Sequence, residues 1–428
     1  MNREETTGFF KFIINELKPK GKILTPFNII SSITIISAII ILYFRFTKGL
    51  GAVTDSSQDR PWGLWINFNV ITGVAFAGGA YVVTFLVYVI GMEKYRPILR
   101  ATLLYAFLAY IFYAGALLLD LGRPLKVINP IIGNSFGVSS ILFLIAWKFF
   151  LYMGSLFIEF FPTVAEWVAL KRQRKFFGSM TLGVVIFGIA LSTLHQSGLG
   201  ALFLMAKPKI HPLWYSEFIP ILFFLSSIFA GLSLVVVLES IGQSVFRNRM
   251  SFLNKTTHKP IMFGIARICT VAMFVYFCMT VLVFVHGKNY PYLNSGYGHW
   301  YLVETVGFVL VPCVIFLLAH RKQNLGLVRL AAVMAMIGII MNRLNISTIG
   351  YRWYDNSLQF PTIMEIIVSV SVIFVQIHVF RWIARRMPVY SESPAWVNQE
   401  PHIKPFRSEV KSINLNNSGR KKWKVSAK

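Results

Sequence analysis

The sequence predicts an all-α integral membrane protein with ten transmembrane helices. Ten apolar runs reach the roughly 18 residues from which a membrane-spanning helix is read. Charged residues make up 14% of the 428-residue chain, where soluble domains carry about 25%. Mean hydropathy is +0.61. Together these exclude an ordinary soluble enzyme and a disordered chain.

The runs fall at about 27–46, 64–91, 101–121, 137–161, 177–206, 219–246, 261–286, 300–319, 326–349 and 362–383. Run one follows a charged lead, residues 1–26, with no cleavable signal peptide, and reads as a signal anchor. In that lead Phe9, Phe10, Phe12, Ile13 and Leu17 fit an interfacial amphipathic helix. Run two opens on Trp62, Trp65, Asn67 and Asn69. Its small residues, Gly73, Ala75, Ala77, Gly78, Gly79 and Ala80, let neighbouring helices approach closely. Run three closes on Asp120, followed by Gly122-Arg123-Pro124. Run four carries Lys148. Run five carries Ser192, His195, Gln196 and Ser197 on one polar stretch. Run six holds Glu239, and run seven closes on His286. His299 and Glu304 open run eight, Arg343 sits between Asn342 and Asn345 in run nine, and Glu365 opens run ten. Residues 27–384 form the membrane domain. Residues 385–428 read as a basic, proline-containing tail, partly disordered.

The net charge of +25 and pI near 10.1 suggest nucleic acid until the charges are placed. Counting cations within three residues of a run's end with the adjoining loop or terminus, thirty of the 42 Lys and Arg lie at the two termini and in the loops after runs two, four, six and eight. Nine lie in the other five loops, and three, Lys148, Arg267 and Arg343, lie well within runs. That bias puts both termini in the cytoplasm and explains the charge by topology, with no nucleic-acid partner. Membrane lipid is the surrounding solvent.

With this orientation Asp120, His195, Gln196, Glu304, Arg343, Glu365 and Trp65 fall in the outer half, Lys148 deeper, and Glu239 toward the cytoplasm. Ionisable groups within a membrane usually mark a pathway or site. Blander readings stand beside this one. Trp62 and Trp65 suit an interfacial belt, and His286 and His299 suit solvated positions. Arg343 suits a helix pair with Glu304 or Glu365, and Asp120 a local pair with Arg123. The cysteines, Cys269, Cys278 and Cys313, form no CxxC pair, so no iron–sulfur cluster or structural zinc is held by this chain alone. No metal site, phosphate-binding glycine loop or hydrolase motif is present. A quinone suits the pattern: it enters from lipid, its oxygens need polar partners near the interface, and a His exchanges protons near neutrality. A di-haem cytochrome b with axial histidines drawn from His195, His286, His320 and His378, and a secondary ion transporter, remain open on the residues alone.

Several segments resemble the NrfD/PsrC family of membrane subunits, most of all its hydrogenase-2 HybB-like branch. They are Gly49-Leu50-Gly51-Ala52-Val53-Thr54, Pro61-Trp62-Gly63-Leu64-Trp65-Ile66, Asp120-Leu121-Gly122-Arg123, Thr193-Leu194-His195-Gln196-Ser197-Gly198-Leu199-Gly200, His211-Pro212-Leu213-Trp214, Arg343-Leu344-Asn345 and Phe360-Pro361-Thr362. The likeness spans about residues 25–385. It implies two four-helix bundles, helices two to five and six to nine, with flanking helices. It implies a haem-free subunit of a respiratory complex in the bacterial inner membrane, without an iron–sulfur cluster of its own. Such a subunit exchanges electrons between menaquinone or ubiquinone and a periplasmic iron–sulfur protein or multihaem cytochrome. The catalytic partner is a hydrogenase or molybdoenzyme, and the subunit is not catalytic alone. On this reading His195 and Asp120 bind the quinone and exchange its protons, with Trp65, Gln196 and Arg123 shaping the pocket. A proton path is expected through Glu239, Glu304, Lys148, Arg343 and Glu365. One departure stands out. Where the branch carries a glutamate in span four this chain has Leu144, with Lys148 one turn further on.

Overall fold

The computed structural model describes residues 14–16, 18–21, 23–56, 63–129, 140–250, 252–355 and 361–393. The readings placed on Phe9, Phe10, Phe12, Ile13, Leu17, Trp62 and the tail from 394 onward lie outside the described residues. Among the described residues ten helices are long and apolar enough to cross a membrane, so the chain is an all-α multi-pass integral membrane protein. They are α1 Pro26–Lys48, α2 Trp65–Val89, α3 Arg96–Asp120, α4 Ile141–Trp167 and α5 Lys171–Leu202. There follow α6 Ile219–Val245, α7 Phe252–His286, α8 Gly296–Arg321, α9 Leu325–Ile349 and α10 Ile363–Ala384.

Each apolar run is found again as a helix, but several ends move. α3 starts at Arg96 rather than 101, α4 ends at Trp167 rather than 161, and α5 starts at Lys171 rather than 177. Hydropathy sees only the lipid-contacting stretch, whereas backbone hydrogen bonding carries a helix on into the polar boundary. Here an ion-pair cluster holds the extensions together. Glu166 of α4 is within 2.9 Å of Arg100 on α3 and 3.0 Å of Arg174 on α5.

α2 is central and is buried along nearly its whole length. It packs against α3, α6 and α9. The small-residue stretch makes this possible. A Cβ on Gly231 of α6 would stand 1.9 Å from the backbone nitrogen of Gly79, and one on Gly78 would stand 2.6 Å from the carbonyl oxygen of Ser227. The two backbones therefore touch. α3, α4 and α5 pack in sequence on one side, and α6, α7, α8 and α9 on the other, while α10 packs against α1 and α3.

Four stretches wind as wide π turns: Trp65–Thr72 in α2, Phe85–Val89 at its end, Val303–Leu310 in α8 and Asn345–Ile349 in α9. Such turns are common at functional sites. They place Trp65, Glu304 and Asn345, three of the polar side chains singled out below.

Ten crossings put both ends of the described chain on one face, here the terminal face. Arg385 and Arg386 after α10 donate to the carbonyls of Lys20 (2.7 Å) and Lys18 (2.8 Å) before α1. On the opposite, far face the loops are stitched together. His211 N–H donates to Gly350 O at 2.8 Å, Asn289 Nδ2 to Pro212 O at 3.0 Å, and Thr362 Oγ1 to Val53 O at 3.1 Å.

Candidate functional site

Three buried polar clusters stand out, and the residues read from sequence divide among them.

The first lies at the far face where α1, α2, α3 and α10 meet. Thr362 caps α10 by a reciprocal box with Glu365: Glu365 N–H donates to Thr362 Oγ1 at 3.2 Å, and Thr362 N–H to Glu365 Oε2 at 2.9 Å. This fixes the Glu365 carboxylate at the helix start. Its Oε1 accepts from Leu64 N–H at 3.2 Å, and the Trp65 indole donates to the Glu365 carbonyl at 3.1 Å. Arg45, buried at the end of α1, donates to the carbonyls of Leu119 (2.8 Å) and Leu121 (2.5 Å) and so caps α3. Around Gly63 the packing leaves a small polar cradle. A Cβ there would meet Ser56 Oγ at 2.7 Å, Glu365 Oε1 at 3.1 Å and Asp120 Oδ1 at 3.4 Å. Asp120 Oδ1 and Ser56 Oγ are buried without a hydrogen-bond partner. Arg123, read with this pocket, is exposed and makes no ion pair with Asp120.

The second cluster is deeper, between α3, α4 and α5. His195 is fully buried, and its one hydrogen-bonding neighbour is the backbone of Ile145 on α4. Its ring packs on Tyr110 (5.8 Å between centroids) and Phe149 (5.4 Å), and Tyr110 packs on Tyr152 at 4.9 Å. Gln196 donates to Val74 O of α2 at 2.9 Å. Lys148 lies beside Gly198, one turn from His195. Below these lies Glu159, 3.1 Å from where a Cβ on Gly188 would stand; Glu159 Oε2 is buried without a partner, and the Tyr152 and Ser192 hydroxyls face each other. His195 is not brought against Asp120. Its neighbour Tyr110 lies ten residues, about 15 Å, along α3 from Asp120. The single depth expected for these two residues becomes two levels, because Asp120 is the last residue of α3 whereas His195 lies seven residues before the end of α5 at Leu202.

The third cluster lies at the far side of α6, α8 and α9. Glu304 Oε2 accepts from the Trp214 indole (2.8 Å) and Asn345 Nδ2 (2.5 Å), and Oε1 from Asn342 Nδ2 (2.6 Å). Arg343 pairs directly with neither Glu304 nor Glu365. It donates to Asn342 Oδ1 at 2.7 Å and Ser226 Oγ at 2.6 Å, and its guanidinium sits 3.5 Å from the Phe223 ring centroid. Trp214 is delivered by the loop before α6. There His211 is enclosed by Trp214, Tyr292, Tyr297 and Trp353 and accepts from Leu213 N–H on Nδ1 at 3.2 Å. Burial pushes its imidazole down to about 4, so it is neutral at physiological pH. Glu239 stands apart, buried near the terminal face, with Oε1 unpartnered. Glu365 belongs with Asp120, not with this cluster.

Sequence reading missed Glu159, Arg45 and Ser56. Glu159 is the only carboxylate within run four, and it lies two residues from that run's apparent end, where hydropathy gives no measure of its depth. With α4 extended to Trp167 it is buried. Among the described residues no group of three or more His, Cys, Asp or Glu side chains converges to hold a metal ion.

The NrfD family, described as polysulphide reductase NrfD, matches residues 52–353. The chain belongs to this family. A protein of Nitratidesulfovibrio vulgaris strain Hildenborough is 40% identical over 374 residues, which cover 87% of this chain and 96% of the relative. The probable Ni/Fe-hydrogenase 2 b-type cytochrome subunit of Escherichia coli K12 is 26% identical, covering 86% and 93% of the two chains. The menaquinone reductase integral membrane subunit of N. vulgaris Hildenborough is 27% identical, covering 70% and 75%. This NrfD-family chain is thus a membrane subunit of the kind that serves respiratory redox complexes and electron transport.

Proposed function

We propose that this NrfD-family subunit reacts with a quinone at the far-face cradle, exchanging electrons with a redox partner docked outside the membrane. The observation that carries the reading is the cradle itself. Two buried oxygens, Asp120 Oδ1 and Ser56 Oγ, are unpartnered beside a glycine, where a polar head group would satisfy them. Buried polar atoms without partners are costly, so this grouping is poorly explained as packing. The relative named for menaquinone reductase supports a quinone. The charge bias puts the far face in the periplasm and both termini in the cytoplasm of a bacterial inner membrane. An iron–sulfur protein or multihaem cytochrome then docks on the stitched loops, with a hydrogenase or molybdoenzyme beyond it.

In this reading Asp120 holds the head group and takes the first proton of quinol, or donates it to quinone, while Trp65 and Glu365 fix the wall. His195, with Gln196 holding α5 to α2, stands further in as the next proton station. Tyr152, Ser192 and Glu159 continue that line toward the Glu166 ion-pair cluster at the terminal face. Lys148 tunes His195 electrostatically from one turn away. Arg343 and Glu304 on the other side serve as a fixed polar anchor, and Glu239 as a proton-accepting group at the terminal face. α2–α5 and α6–α9 act as two bundles, the first carrying the quinone chemistry.

The test is quinone-linked turnover of the assembled complex. Asp120→Asn and His195→Ala are each expected to cut it at least tenfold, the scale of a lost proton-transfer group, with assembly intact. Wild-type turnover in both variants overturns the site. A b-type haem spectrum from the purified chain would instead favour the cytochrome reading, for which the name of the E. coli relative speaks.

A further inference from the structure

A cleft of about 620 Å³ opens on the terminal face between the α2–α3 loop, the start of α7 and the α8–α9 loop. Lys94, Lys259, Arg267 and His320 line it, and no carboxylate does. Among the described residues neither Lys259 nor Arg267 has a carboxylate partner. Glu93, next to Lys94, is already paired with Arg96 at 2.5 Å. The floor is Gly264, against which the Tyr95 hydroxyl packs so closely that a Cβ would lie 2.4 Å from it.

Arg267 is one of the three cations that fall well inside apolar runs, and the redox reading gives it no role. It is exposed on α7, eight residues past Lys259, so the two share one helix face with Phe263 between them. Helical side chains slant toward the helix N-terminus, here toward the terminal face, so Arg267 reaches back to the cleft while its stem lies along apolar surface. Beyond it the same face reads Val271, Phe274 and Leu282, which are 65%, 57% and 62% exposed. A cationic pocket thus opens directly onto an apolar stripe on a single helix.

We infer that this cleft binds the phosphodiester headgroup of an anionic phospholipid, with the acyl chains laid along α7. A basic pocket between helices is the chemistry such headgroups select, and the stripe favours a lipid over a soluble phosphate. The bound lipid bridges the α2–α3 loop and the terminal-face ends of α7 and α8.

The experiment uses the full chain in nanodiscs of phosphatidylglycerol or phosphatidylcholine, read by thermal unfolding, and native mass spectrometry of the detergent-purified chain. The wild type is expected to unfold several degrees higher in phosphatidylglycerol and to retain that lipid as an adduct. Lys259→Gln with Arg267→Gln should lower retention about tenfold, one decade of affinity, and abolish the shift, while Lys259→Arg with Arg267→Lys should keep both. Lys259 is exposed, so Lys259→Gln alone supplies a folded variant with a partial loss. Equal retention in the wild type and the double variant, or equal retention of phosphatidylcholine, overturns the inference. A shift produced in phosphatidylcholine by millimolar inorganic phosphate overturns the lipid assignment in favour of a soluble anion.

Discussion

Glu304 receives three hydrogen bonds, from Trp214, Asn342 and Asn345, all on its two carboxylate oxygens. Every group facing it is a donor. That arrangement suits an acceptor-only carboxylate and no other side chain of its size. Glu304→Gln replaces one acceptor oxygen by an amide that must point a donor at a donor. The expected cost is about 1–3 kcal/mol, the scale of an unsatisfied buried polar group, read as a lower midpoint of unfolding of the purified subunit. An unchanged midpoint would show that the network has slack and that Glu304 is free to titrate. The contrast with Asp120, His195 and Glu159 is what separates anchor from candidate chemistry, since Asp120 and Glu159 carry unpartnered buried oxygens and His195 meets only a backbone group. Sequence alone could say that all were ionisable and within the membrane. It could not say which were saturated, because the saturating groups come from other helices: Trp214 lies ninety residues from Glu304. Arg343 illustrates the same limit. Its charge suggested a carboxylate partner, yet Asn342 and Ser226 take its protons and the Phe223 ring faces it.

At the scale of elements, all ten helices were legible, because an apolar run of spanning length has few alternatives in lipid. Their ends were not, because Arg100, Glu166 and Arg174 stabilise helix beyond the hydrocarbon through ion pairs that hydropathy counts as breaks. The π turns were not legible either, since they change hydrogen-bond register without changing composition. The small residues of α2 were legible as a contact surface, and the structure supplies the partner, Gly231 on α6. Without a hydrophobic force between helices in lipid, such backbone contact is a main source of association. Gly231→Leu drives a branched side chain into the backbone of Gly78 and Gly79. It should cost more than the roughly 1–3 kcal/mol of ordinary overpacking, because backbone rather than a side chain must give way. The expected result is loss of monodisperse subunit on purification. Leu at Gly115, whose added Cβ meets nothing within 4 Å, should be tolerated. Equal yields from both variants would mean that α2 and α6 can separate without loss of the fold.

At the scale of the molecule, the even number of crossings and the contacts of Arg385 and Arg386 with the segment before α1 fix both described ends to one face. We infer from charge which side of the membrane that face meets. The terminal face carries most of the lysine and arginine, including Lys94, Lys171, Arg249 and Lys322, and translocating so many cations is disfavoured. The far face carries the cradle at Gly63, the Trp214 loop and the interloop hydrogen bonds, so a redox partner in the periplasm needs that face outward. Both turn on the orientation of the chain, and one measurement tests it. In a background with Cys278, the exposed native cysteine, changed to Ser, a cysteine is placed at exposed Lys288 on the far face or at exposed Lys322 on the terminal face. In spheroplasts a membrane-impermeant maleimide should label Lys288→Cys at once and Lys322→Cys only after the membrane is opened. The reverse pattern would turn the molecule over. The Asp120 cradle would then face the cytoplasm, and its electron partner would have to be sought there.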